Sequence, residues 1–347
     1  MAHLRQRISL GLEEEFFLLE AGRTLPTLQS LDTLRRLYWR RAGRDRAHLA
    51  SNFARGKTDR RRCFMSSIEV STGVHHSVES LFADLVEWRK RVARASRGSL
   101  CAPVGAPLGL DAPSNTAGLH LHFGVAGKHR DLVYNNLAYA LPVLAVASQN
   151  SPTVALGRDA ASYRMSCNFA SGDLREDREY RFQDIIVTKR LGTVEVRALD
   201  PVPDLERLRH IVELAVAVAS HPERLPFDRD RYNAEKPKFA VHGLTPFVRE
   251  VWDRLEKIHP FPLELLERTL SQELTELATS QGPEAAYRRL DELWRRPTGV
   301  KLELTPHSKW RALAGLLGYY APQLPYMAIK GWKEWYGKPP DTPDGKK

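Results

Sequence analysis

Four segments of this chain alternate apolar and polar residues with period two, and each turns acids or histidines to its polar side. In Ile8–Leu19, Leu10, Leu12, Phe16 and Leu18 share a face with Glu14. Glu13 and Glu15 point the other way, about 7 Å apart at ~3.3 Å rise per residue. In Ser66–Thr72, Ile68 and Val70 oppose Ser67, Glu69 and Ser71. In Gly118–Val125, Leu119, Leu121, Phe123 and Val125 oppose Gly118, His120, His122 and Gly124, the glycines leaving room around the imidazoles. In Thr193–Asp200, Val194, Val196 and Ala198 oppose Thr193, Glu195 and Arg197. With Phe182–Val187 as a further strand, this pattern predicts an antiparallel sheet that has one face covered and one polar.

On a single sheet the polar face carries Glu13, Glu15, Glu69, His120, His122, Glu195 and Arg197. Adjacent carboxylates on one face repel, so several of them need cations among them. Oxygen-rich ligation with one or two imidazoles suits Mg²⁺ or Mn²⁺ better than zinc. Each piece alone also has an ordinary reading. The three glutamates fit a charged strand end, the two histidines a zinc half-site or two satisfied surface side chains, and Glu195 with Arg197 a surface ion pair. Convergence is what favours a site.

Helices fall between and after these strands. Ser77 caps a run with Leu81, Phe82, Leu85 and Val86 on one side, and Asp204 caps Leu205, Leu208, Ile211, Val212, Ala215 and Val218. From Thr245-Pro246 to Leu317 successive helices are broken at Pro260, Pro262, Gly282-Pro283 and Pro297. The irregular mixture predicts an α+β fold with a helical C-terminal third, and neither an internal repeat nor a linker divides it. The expected organisation is one domain over 1–336 followed by a disordered Pro/Gly/charged tail at 337–347.

Composition narrows the class. Among 347 residues, 42% are apolar and 27% charged, which is ordinary for a globular protein and excludes a wholly disordered or fibrous chain. The longest apolar stretch, Leu137–Ala147, contains Tyr139 and Pro142 and is shorter than the roughly 18 residues a membrane span needs, so no membrane partner is expected. Arg5 and Arg7 lead into Gly11 and three glutamates instead of an apolar signal core, and the expected location is the cytoplasm. Cys63, Cys101 and Cys167 show no C-x-x-C spacing, which fits a reducing compartment. The net charge of +10 would attract a polyanion such as a nucleotide or nucleic acid. Much of it lies between Arg35 and Arg62, either a solvated helix face with an exposed loop or a rim that attracts phosphate or carboxylate.

Five blocks carry a family resemblance: G-L-E-E-E-F-F-L-L (11–19), S-I-E-V-S-T-G (67–73), G-L-H-L-H-F-G-V (118–125), S-Q-N-S-P (148–152) with A-S-Y-R (161–164), and G-T-V-E-V-R-A-L-D (192–200). In order and approximate spacing they resemble the motif blocks of the glutamate-cysteine ligase type 2 and YbdK-like carboxylate-amine ligases, over about residues 8–220. The resemblance implies a glutamine-synthetase-like catalytic fold, a curved, mainly antiparallel sheet whose concave face holds ATP and divalent metal, with helices behind. It implies that ATP phosphorylates a carboxylate and that an amine attacks the acyl phosphate. Glu13, Glu15, Glu69, His120 and Glu195 then stand where the family has metal ligands, and Arg197 where its arginine faces the transferred phosphoryl group. Catalysis would fall to Arg197 and Glu195, nucleotide contact to Arg197 and His122, and substrate contact to Arg164 and Asn150. A structural ion pair and a loop-capping amide are the plainer roles for those last two.

The cofactors implied are ATP and Mg²⁺, with Mn²⁺ as a substitute. The partners are amino-acid substrates, glutamate with cysteine or another amino compound, and a homo-oligomer is compatible with the sequence. Residues 151–161 depart from the family pattern, which points to a remodelled substrate-side wall. Asn233-Ala234 and Lys236–His242 match no motif and read as packing or as the edge of a cleft. Two other functions remain open. One is a metal-dependent hydrolase using His120, His122 and Glu195; the other is a nucleic-acid-binding protein using Arg35–Arg62, although it lacks recognition motifs.

Overall fold

A computed structural model of the chain describes residues 8–20, 22, 29–39, 47–49, 67–96, 98–108, 116–152, 161–166, 171–305, 308–321 and 324–325. The strands are β1 (Ser9–Leu19), β2 (Ala47–Leu49), β3 (Ile68–Ser71), β4 (Leu100–Ala102), β5 (Leu119–Gly124), β6 (Ile185–Val187) and β7 (Val194–Leu199). They form one sheet in the order β2-β3-β1-β5-β7-β6, with β4 pairing the end of β1, and every pairing is antiparallel. The expected α+β architecture, a mainly antiparallel sheet backed by helices, is the one found. The strand expected over 182–187 is shorter, Ile185–Val187. β2 and β4, at three residues each, are too short to show a period and were not foreseen.

The helices are α1 (Gln29–Trp39), α2 (Val78–Ser96), α3 (Gly127–Ser148), α4 (Tyr163–Ser166), α5 (Leu205–Ala219), α6 (Arg229–His242), α7 (Pro246–Leu255), α8 (Glu264–Glu267), α9 (Leu270–Gln281), α10 (Pro283–Arg295) and α11 (Lys309–Tyr320). The expected caps are in place: Ser77 Oγ accepts from Ser80 N, Asp204 from Glu206 N and Arg207 N, and Thr245 from Val248 N. The apolar stretch 137–147 makes up the C-terminal half of α3, which is buried from Val133 to Ser148, because a helix segment apolar all round must be enclosed. No helix among the described residues is long and apolar enough to cross a membrane. Arg35 and Arg36 lie on α1, where both pair with Asp32. Apart from 47–49, the basic stretch from 40 to 62 lies outside the described residues, as do the tail at 337–347, Cys63 and Cys167.

The alternation sorts the sheet as expected. Leu10, Leu12, Leu119, Leu121, Phe123, Val194 and Val196 form one core with α3 and α5, while Phe16, Leu18, Ile68 and Val70 join Trp88, Val92 and Trp294 in another. Glu14 lies on this covered side, 1% exposed. Its carboxylate accepts from Arg89 Nε and from Trp294 Nε1, each at 3.1 Å, and Arg89 also donates to Pro203 O and Val202 O. The polar face does not run the length of β1. Phe17 and Leu19, on the side of Glu13 and Glu15, are buried against Leu270, Leu274, Tyr287 and Leu290 of α9 and α10. Those helices wall off one end of the open face.

Candidate active site

Register brings the polar residues into rows. Glu69 lies opposite Glu15 across β3 and β1, and Ser71, Glu13 and His120 line up across β3, β1 and β5. His122 faces Gly11 on one side and Glu195 on the other. Side chains then close the gaps. His120 Nδ1 lies 3.1 Å from Glu13 Oε2 and 3.6 Å from Glu195 Oε1, and His122 Nε2 lies 3.4 Å from Glu13 Oε1. Arg197 forms an ion pair with Glu195, and its Nε is buried without a hydrogen-bond partner. Gly118 N donates to Glu15 Oε2 at 2.7 Å, anchoring that carboxylate to the strand.

The electrostatics follow the geometry. Burial works against a charged Glu13, but hydrogen bonds and charge from His120 and His122 outweigh it and hold the carboxyl well below its usual range. Burial pushes the Glu15 carboxyl up, and the neighbouring Glu69 adds to the push against the opposing pull of His120, Arg164 and the Gly118 amide. Burial would lower His122, yet Glu13 and Glu195 raise it. Carboxylates gathered this closely call for a cation, and the donor set can be tested for one. Glu13, His122 and Glu195 each offer a ligand atom, all within 4.8 Å of one another. Thr193 Oγ1 lies 3.3 Å from His122 Nδ1 and steadies the ring, leaving Nε2 turned towards Glu13. Two carboxylates and one imidazole fit a hard divalent ion. His122 thus stands within this ligand set, whereas the sequence offered it as a nucleotide contact.

The structure brings Glu13, Glu15, Glu69, His120, His122, Glu195 and Arg197 together on the open side. Arg164 and Asn150 have other surroundings. Arg164 is 1% exposed and donates to the carbonyls of Arg197 and Leu199, with NH2 3.4 Å from His120 Nε2. It lies beneath the site, where its guanidinium supports the backbone carbonyls of β7. Asn150 is fully buried, accepting from Gly105 N and donating to Pro103 O and Pro201 O. Its amide caps loops, the plainer of the two roles weighed for it. The residue that ties these blocks together is Asp200, which the motif contained but the reading gave no role. Its carboxylate accepts from Asn150 N at 3.0 Å, Ser151 Oγ at 2.7 Å and Ser162 Oγ at 3.1 Å. The signal was an acid that follows the apolar pair Ala198-Leu199 at the end of an alternating strand.

No protein-family model matches the chain. A "Putative glutamate--cysteine ligase 2-1" of Rhodococcus jostii (strain RHA1) is 30% identical over 172 residues, covering 42% of this chain and 42% of the relative. The chain therefore matches less than half the length of that curated relative, whose name agrees with the resemblance carried by the motif blocks. Among solved structures, a bifunctional glutathione synthetase from Pasteurella multocida matches 85% of this chain and 52% of its own, with a TM-score of 0.57 at 15% identity. A glutamate–cysteine ligase from Francisella tularensis, solved with AMP, matches 92% and 94%, with a TM-score of 0.55 at 12% identity. The ligase PafA, solved with the prokaryotic ubiquitin-like protein Pup, matches 94% and 84%, with a TM-score of 0.50 at 11% identity. At such identities the likeness establishes the fold.

Proposed function

We propose that the protein is an ATP-dependent carboxylate–amine ligase that joins glutamate to cysteine or another amino compound in the cytoplasm. The observation that carries this reading is the meeting of Glu13, His120, His122, Glu195 and Arg197 on one open sheet face. In the reaction, the substrate carboxylate oxygen takes the γ-phosphoryl group and ADP leaves. The amine then attacks the acyl carbon, phosphate departs, and the nitrogen gives up a proton. No nucleophile from the protein is required. Glu13, His122 and Glu195, with Glu15, Glu69 and His120 around them, would hold Mg²⁺ or Mn²⁺, whose contribution when bound is to neutralise phosphate oxygens. Arg197 is suited to the same task from the protein side, because its guanidinium retains a buried donor beyond the Glu195 pair. Both substrates would sit on the remaining open face, away from the wall of α9 and α10.

The test is ADP release with ATP and Mg²⁺ across amino acids offered singly and in pairs, with mass spectrometry of the products. Stoichiometric ADP with a new amide mass is expected. Glu13→Gln, Glu195→Gln and Arg197→Lys should each lower turnover at saturating ATP about 100-fold or more, with circular dichroism unchanged. Full activity in these variants would overturn the site assignment. ATP turnover by no substrate pair would overturn the function.

A further inference from the structure

The strand that carries Glu195 and Arg197 is irregular where it matters. Along β5 the step from Leu119 to Leu121 is matched on β7 by the step from Leu199 to Val196, so β7 holds one extra residue at Arg197-Ala198. This β-bulge explains why Ala198 and Leu199 both enter the core, which strict alternation forbids. On the other edge, Arg197 N and Ala198 N both donate to one acceptor, Asp184 O, at 2.8 and 3.2 Å. A bulge re-aims the side chain it carries, and here that side chain is Arg197.

Asp184 is in turn fixed from α6. It is fully buried, and its Oδ2 accepts from Tyr232 OH at 2.8 Å and lies 2.8 Å from Lys236 Nζ, itself 2% exposed. Asn233, between them on α6, grips the same segment through Leu174 N at 2.8 Å and Leu174 O at 2.9 Å. The end of α6 steadies the opposite side of the bulge. Ala240 O accepts from Ala161 N and Ser162 N, both at 3.1 Å, just before Arg164, which donates to the carbonyls of Arg197 and Leu199.

We propose that Lys236 is a positioning residue: through its buried ion pair with Asp184 it holds the Arg197-Ala198 bulge and so aims Arg197 at the open face. The role rests on the ligase reading for its effect on turnover, but not for its effect on the strand. An ammonium buried against Asp184, with Asp173 Oδ1 farther off at 3.9 Å, costs desolvation that an apolar side chain would avoid, and here Asp184 itself carries the backbone acceptor for the bulge.

The test combines amide hydrogen exchange with steady-state kinetics on the full chain. Lys236→Met should speed exchange at Arg197 and Ala198 about tenfold or more relative to β1 amides such as Leu12. It should lower kcat about tenfold or more while KM for ATP moves less than about threefold. Tyr232→Phe removes one bond to the same oxygen and no charge, so it should shift both readouts in the same direction by less, even if Lys236→Met fails to fold. Lys238→Met, exposed on the same helix and paired with Glu235, should change neither. Unchanged exchange at Arg197 and Ala198 in Lys236→Met and Tyr232→Phe, or a rise shared equally by all slow amides, would overturn the proposal. If wild-type protein turns over no ATP with any pair, the ligase reading falls and the exchange result alone decides the role of Lys236.

Discussion

Three consecutive glutamates meet three different fates within about 7 Å of strand. Glu13 and Glu15 face the polar side among imidazoles and a backbone amide, whereas Glu14 is turned into the helical layer, where Arg89 and Trp294 satisfy it. Period two made that split readable in the sequence, but nothing local identified Arg89, 75 positions away, as the partner. Because both charges are buried, truncating one strands the other. Arg89→Met should cost about 3–5 kcal/mol, measured by urea unfolding, while Glu14→Gln with Arg89→Met should recover much of the loss. Equal stabilities for the single and double variants would refute that pairing.

At the scale of elements, β5 shows how a strand makes room for function. Gly118, His120 and His122 share its polar side, and a side chain at Gly118 would not fit: an added Cβ would stand 2.4 Å from Arg164 NH2. That guanidinium supports the carbonyls of β7, so crowding it disturbs the strand that bears Glu195 and Arg197. Gly118→Ala should lose about 1–3 kcal/mol in thermal unfolding and weaken turnover further than its stability loss explains. An unchanged melting temperature would show that Arg164 moves aside without cost. Strand positions, caps and breaks were legible because period, Ser/Asp/Thr caps and prolines act locally. The bulge in β7 was not, since Thr193–Asp200 alternates well enough on paper and only pairing with β5 and β6 shows the extra residue.

Across the whole molecule, the open face is bounded by packing that no motif announced. Phe17 and Leu19 end the polar side of β1 because α9 and α10 cover them, and α6 reaches the site from a region without matching blocks. The candidate ligands Glu13, His122 and Glu195 come from three strands, so an ion bound there would tie β1, β5 and β7 together and stabilise the folded state by mass action. Mn²⁺ at about 100 times its Kd should raise stability by about 2.7 kcal/mol, read as a rise in melting temperature. Glu13→Gln and Glu195→Gln should each remove that rise, and a rise of the same size in both variants would place the ion elsewhere.

Alternation alone committed seven polar side chains to one face, and the five ordered blocks pointed to a ligase family. Tertiary structure alone decided which of them touch, that Asn150 and Arg164 serve the loops and the strand backbone, and that Asp184 and Lys236 stand behind Arg197. The physical reason is range. Facing within a strand follows from the geometry of successive peptide units, whereas register, bulges and buried ion pairs depend on residues far apart in the chain, whose meeting is fixed by the packing of the whole fold.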